Sequence, residues 1–426
     1  MMEEKMKKPH HFNRAGQSSR YSLVSLVGLI FFLFLASACN SEPGDSSTPS
    51  GRWIGTWTTA QQLVEPRNMP PEPGLTNNTL RQIVHVSIGG DSLRVRFSNE
   101  FSTRPVTIKT AHIAVSAGGG AIVPETDQVL TFNGEKEVTM EPGTAVRSDP
   151  FGFALEPLGN VAITIYFSDT SPDVTGHPGS RTTSYLLAGN AVSDVEFTGA
   201  SQTDHWYVID AIDVVSEESP GAVAVLGNSI TDGRGSGTNK QNRWPDELAR
   251  RLQKNPETRQ VAVLNQGIGG NCVLRDCLGP AAVSRFERDV LNAIGVRWLI
   301  VLEGINDIGQ TRNAEAAAQV ADNLIAAYQK MIERAHSAGI RVYGGTLMPV
   351  GGSFYDAPFR EKARNRVNKW IRNSGQFDAV IDFDEALRDP DNPRQLLPAA
   401  DTGDHLHPNE TGHQLMAETV DLRLFE

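Results

Sequence analysis

A chain of 426 residues is long for one average domain and suits two. Its 39% hydrophobic and 21% charged residues are ordinary for a globular protein. The formal net charge of −11 argues against a nucleic-acid binder, which needs a basic surface to neutralise phosphates, and no arginine-rich stripe offsets that balance.

The first residues read as an address rather than as fold. Lys5, Lys7, Lys8, Arg14 and Arg20 form a basic stretch, and an apolar run from Tyr21 to Ala38 leads directly to Cys39. That order is expected of an export signal, with a single membrane-spanning anchor as the alternative. Ala36, Ser37 and Ala38 before Cys39 resemble a bacterial lipobox, although Ala36 stands where leucine is usual. The expectation is cleavage after residue 38 and lipidation of Cys39. Removing five basic and two acidic residues with 1–38 leaves a net charge of −14, so anionic headgroups would repel the remainder. Membrane attachment would rest on the lipid anchor only. Asn40 differs from the aspartate that resembles an inner-membrane retention signal, which points to an outer-membrane or cell-surface envelope lipoprotein. Residues 39–50, rich in Ser, Pro, Gly, Glu and Asp, read as a tether.

From residue 51 to 217 the pattern is short and period-two. Gln82–Ile88, a Gly89-Gly-Asp-Ser turn and Leu93–Ser98 read as two strands with a glycine-rich turn. Similar runs recur at Val106–Thr110, Ala111–Val115, Gln128–Phe132 and Val161–Phe167. With Gly or Pro clusters between them, these predict an all-β sandwich. His177 and His205 read as surface or packed residues of that domain.

The pattern changes near residue 218. Ala222–Leu226, Val261–Leu264, Trp298–Leu302, Ile340–Tyr343 and Ala379–Phe383 are continuous apolar runs, as strands buried on both faces would be. Helical stretches alternate with them, at about Trp244–Leu252, Ala281–Ala293, Ala314–Ala338, Pro358–Ile371 and after Pro408. The prediction for 218–426 is α/β, a doubly wound parallel sheet.

Ligands of such sheets sit beyond the carboxyl ends of the strands. Beyond the first three runs stand Gly227-Asn-Ser-Ile-Thr-Asp-Gly233, Asn265-Gln-Gly-Ile-Gly-Gly-Asn271 and Glu303-Gly-Ile-Asn-Asp307, and near the end of the chain stands Asp404-His-Leu-His-Pro408. Each supplies one part of an acyl transfer. A serine hydroxyl needs a base, a histidine base needs a carboxylate on its other nitrogen, and the oxyanion needs donors fixed in advance. Singly these segments are weak: Gly-X-Ser is more often a turn, Asn306-Asp307 is an ordinary strand end, and Asp404, His405 and His407 could bind a metal. The 267–270 loop lacks both the lysine of a P-loop and dinucleotide spacing. Their joint order after buried runs carries the reading. Cys272 and Cys277, five apart in a chain expected to be exported, are expected to form a disulfide; two buried thiols or half a metal site are the alternatives.

Together the segments resemble the SGNH (GDSL-like) hydrolases, through Ser229, Gly270, Asn306 and His407, with Asp404 three before the histidine. Asp232-Gly233, Arg243-Trp-Pro-Asp246 and Leu406-His-Pro-Asn409 extend the resemblance, and Trp53-Ile-Gly-Thr-Trp57 and Leu80-Arg-Gln-Ile-Val resemble the β domain preceding the hydrolase in one branch. The resemblance implies an SGNH-type, flavodoxin-like sheet and a serine-dependent hydrolase of acyl esters. Ser229 would be the nucleophile, His407 the base and Asp404 its orienting acid. The N–H groups of Ser229 and Gly270, with Asn306, would form the oxyanion hole. It implies no metal, no organic cofactor and an open groove. Position 228 departs from the family: Asn stands where Asp is common. Short-acyl or carbohydrate O-acetyl esters, polysaccharide included, are the expected substrates. A lipase or phospholipase, or a glycan-binding envelope lipoprotein with a retired site, are the alternatives.

Overall fold

The computed structural model describes residues 51–426; the expected leader, the 39–50 tether and Cys39 lie outside the described residues. Residues 52–216 are β-rich. One antiparallel sheet has the order Arg52–Thr58, Ile209–Ser216, Gly90–Asn99 and Phe151–Leu155, with Thr144–Arg147 also pairing on Gly90–Asn99. A larger sheet runs through Ser201–Thr203, Ser184–Ala188, Asn78–His85, Asn160–Phe167 and Val106–Gly118. Leu93, Val95 and Phe97 of the first sheet and Leu80, Val84, Ile113 and Ile163 of the second are buried in one cluster. The alternation read in the sequence is the alternation between this cluster and the outer faces.

Two local expectations are corrected. The strands either side of Gly89-Gly-Asp-Ser do not pair as a hairpin: Asn78–His85 lies in the larger sheet and Gly90–Asn99 in the other. Gly89 makes that crossing, and a Cβ there would meet the Leu155 carbonyl oxygen at 2.2 Å. Val106–Thr110 and Ala111–Val115 are one 13-residue strand, Val106–Gly118, because Asn160–Phe167 pairs across both runs.

From Gly221 onward a five-stranded sheet has the spatial order Val261–Gly267, Gly221–Gly227, Val296–Leu302, Arg341–Gly345 and Ala379–Ile381, all parallel. Its apolar runs are continuous because both faces are covered. Ala224, Leu226, Leu299 and Val301 face Ala314–Ser337 and Pro358–Asn373, while Val223, Val225 and Ile300 face Trp244–Lys254 and Glu410–Thr419. The helix expected over 281–293 is Ala282–Phe286 followed by a wider π turn, Glu287–Leu291.

The β-rich part covers the open edge of this sheet. Ile54, Val86 and Ile88 share a buried cluster with Ala222, Ala262 and Leu264. The Val263 N–H donates to Ser87 Oγ (3.0 Å) and Gln266 Nε2 donates to Thr58 Oγ1 (2.9 Å), so the edge strand's polar groups are met by the neighbouring part.

Candidate active site

Ser229 stands where the Gly221–Gly227 strand turns into a four-residue helix, Ser229–Asp232. Asn228 caps that helix by accepting from the Ile230 N–H (3.1 Å). The turn is tight: a Cβ on Gly227 would lie 2.2 Å from Thr231 Oγ1. As the first helical residue, Ser229 has an N–H without an acceptor inside the helix.

His407 Nε2 lies 2.8 Å from Ser229 Oγ, and His407 Nδ1 lies 2.7 Å from Asp404 Oδ2. The other Asp404 oxygen accepts the N–H groups of Leu406 (3.0 Å) and His407 (2.8 Å), so the three-residue spacing closes a turn that aims the imidazole. With Nδ1–H given to the carboxylate, Nε2 is left to accept from the serine hydroxyl. Those donors hold the Asp404 carboxyl well below the usual carboxylate range, against the opposing push from burial. Burial is the main force pushing the His407 imidazole down; Asp404 opposes it, and the charges of Arg234 and Arg181 add to it. The other histidine of the pair, His405, turns to Asp401 instead (2.6 Å).

Gly270 and Asn306 line the same groove as Ser229 and His407, a cavity of about 460 Å³ open to solvent. Gly270 has φ +72°, and a Cβ there would meet Leu278 at 2.8 Å. Its N–H donates to no backbone carbonyl among the described residues. The Asn306 amide is oriented from both ends: Nδ2 donates to the Asn271 carbonyl (2.7 Å) and Oδ1 accepts from the Tyr355 hydroxyl (3.0 Å). Nδ2 keeps a second hydrogen for a ligand. A bridge joins Cys272 and Cys277 in the loop after Gly270, and Asp307 accepts the N–H groups of Val273 (2.8 Å) and Leu274 (3.0 Å).

Behind the site Arg285, fully buried, ties three loop ends together, donating to the carbonyls of Gly227 (3.1 Å) and Gln266 (2.7 Å) and to Asn271 Oδ1 (3.1 Å). Its charge meets Asp289 at 2.9 Å, with Glu303 at 3.9 Å. Glu303 is buried, and burial pushes its carboxyl well above the ordinary range, while Arg285 and the Asn228 amide pull it back. Neither Glu303 oxygen has a hydrogen-bond partner at normal distance among the described residues. An aspartate at 228 would set a second carboxylate against this one, so asparagine suits this interior.

The β-rich part supplies one wall, which the sequence alone did not reveal. His177 is buried, with Nδ1 at 2.8 Å from the Ala60 carbonyl and Nε2 at 2.8 Å from Asp232 Oδ1, one turn beyond Ser229. Arg181 reaches the other Asp232 oxygen at 3.3 Å. Gln62, Glu65, Arg67, Asn68 and His205 line the groove beside them. These residues sit far before Ser229 in the chain, with no spacing to betray them; only the fold brings them here. Phe354, 70% exposed, and Tyr355 form the opposite rim.

Residues 225–415 match the GDSL-like Lipase/Acylhydrolase family. None of the curated proteins matches the chain. Among solved structures, a protein of the G-D-S-L lipolytic family from Desulfitobacterium hafniense is 22% identical over 47% of this chain and 97% of its own, with a TM-score of 0.36. An acetylxylan esterase from Geobacillus stearothermophilus is 22% identical over 47% of this chain and 92% of its own (TM-score 0.36). A GDSL-like lipase from Bacteroides thetaiotaomicron is 18% identical over 47% and 85% (TM-score 0.33).

Proposed function

Because this protein is a hydrolase acting on ester bonds, we propose that it works through an acyl-enzyme on Ser229, with His407 as base and Asp404 as its orienting acid. The observation that carries this reading is the unbroken chain from Ser229 Oγ through His407 to Asp404, at 2.8 and 2.7 Å. Ser229 Oγ attacks the ester carbonyl and its proton passes to His407 Nε2. The oxyanion is met by the N–H groups of Ser229 and Gly270 and by Asn306 Nδ2. His407 then gives the proton to the leaving alcohol, and water repeats the sequence to free the acid.

The substrates are short-acyl esters of polar alcohols, O-acetylated carbohydrate included. Support comes from the lining of the groove, where Gln62, Glu65, Arg67, Asn68, Arg181, His205 and Arg234 outnumber the apolar Pro178, Leu278, Phe354 and Leu406. In the cell the chain is exported and held at the envelope by a lipid on Cys39, with residues 39–50 as tether; the leader in 1–38 supports this.

The test is hydrolysis of 4-nitrophenyl esters from acetate to palmitate by residues 40–426 and by Ser229→Ala. The expected outcome is cleavage of acetate in preference to palmitate and a rate loss of about 10³-fold or more in the variant. Faster cleavage of palmitate would move the reading to a lipase. Equal rates for both proteins on every ester would remove Ser229 from the mechanism.

A further inference from the structure

Three arginines from separate segments line the groove: Arg67 after Pro66, Arg181 in the loop after His177, and Arg234 just past the nucleophile's helix. Their surroundings differ from those of the acids nearby. Asp232 is buried between His177 and Arg181, and Asp404 is held by His407 and two backbone N–H groups. Glu65 accepts the amides of Gln62 (2.8 Å) and Asn68 (2.9 Å). Glu65, held by neutral amides, keeps its charge, so the lining sets three cations, Arg67, Arg181 and Arg234, against two carboxylates, Glu65 and Asp232. Arg67 and Arg234 are exposed and make no ion pair among the described residues, in a chain of net charge −11. That excess of cations at a cleft of an acidic protein favours an anion among what enters it.

The chemistry fixes the side of the groove. The leaving alcohol must come within hydrogen-bond reach of His407 Nε2 to take its proton. Arg181 grips Asp232 one turn from Ser229 (3.3 Å), Arg234 follows the nucleophile's helix, and both line the groove with His407, whose ring feels both charges.

We propose that the alcohol portion of the substrate carries an anionic group, held by Arg67, Arg181 and Arg234, so that the groove selects O-acyl esters of acidic alcohols such as sugar acids. The inference rests on the ester-hydrolase reading above and names the substrate class of the same site. Because Arg67 and Arg181 belong to the β-rich part, that part is a specificity element of the hydrolase.

The test compares kcat/KM of the purified full chain on 4-acetoxybenzoate and 4-acetoxybenzamide, which differ in charge at one position, with 4-nitrophenyl acetate as a plain ester. The expected result is a benzoate-to-benzamide ratio that falls by up to about fivefold in Arg67→Gln/Arg234→Gln, the upper end for an exposed ion pair. The same ratio falls for the wild type as salt rises. The charge-keeping Arg67→Lys/Arg234→Lys pair retains most of it. A ratio unchanged in the glutamine variant, with all three esters cleaved, overturns the anionic subsite and leaves the hydrolase reading standing. A wild type that cleaves none of the three, 4-nitrophenyl acetate included, overturns both.

Discussion

His407 must be neutral to accept a proton, and its surroundings favour that form. Burial weighs most, and the positive charges of Arg234 and Arg181 weigh in the same direction. Since these push the pKa down, the free enzyme keeps its base active below pH 6.5, and kcat/KM falls only as pH drops through the lowered value. Arg234→Gln removes one of the cations, so the imidazole pKa rises and the acid limb of the kcat/KM profile moves to higher pH. A limb that stays in place, or moves the other way, would show that Arg234 does not act on His407. Of the paired histidines, His407 stands out in the sequence by its spacing of three from Asp404 as well as by resemblance. The reason lies in the turn, since Asp404 faces His407 while His405, at φ +61°, points to Asp401.

The loop from Gly270 to Pro280 shows what a segment needs in order to hold a donor still. It is pinned by the Cys272–Cys277 bridge, by Asn271 Nδ2 donating to the Leu278 and Pro280 carbonyls, and by Asp307 beneath it. Asp307→Asn replaces one accepting oxygen with a donor facing an N–H, at a cost of about 1–3 kcal/mol. The expected outcome is a kcat lower by about tenfold or more with KM much less affected, because the oxyanion contact is made chiefly in the transition state. Steady-state kinetics on 4-nitrophenyl acetate checks it; a KM effect alone would place the loop in ground-state binding. The strand runs, the helices and the bridge were legible because each leaves a local mark, in period, in continuous apolarity or in paired cysteines. The clamp of His177 and Arg181 on Asp232 leaves none. It depends on which loop of the β-rich part reaches Asp232, and a sequence of short strands does not encode that visibly.

The β-rich and α/β parts of the described residues, 51–426, belong to one compact unit. A composition change near residue 218 marks the switch from antiparallel to parallel strands, yet the buried cluster runs across it through Ala222, Ala262 and Leu264. Leu264→Ala is therefore expected to cost about 2–5 kcal/mol and to lower a single cooperative transition in urea. Two separated transitions, only one of them shifted, would show the parts to be independent. Taken whole, the molecule sets a serine at the end of a parallel sheet and walls it with loops from a preceding β structure, an arrangement made for that serine to form the acyl-enzyme. Labelling by a fluorophosphonate probe, located by peptide mass spectrometry, tests that most directly. The expected result is one adduct, on Ser229, that is lost in Ser229→Ala and strongly slowed in His407→Ala. A folded protein that stays unlabelled, or is labelled at another serine, would contradict it.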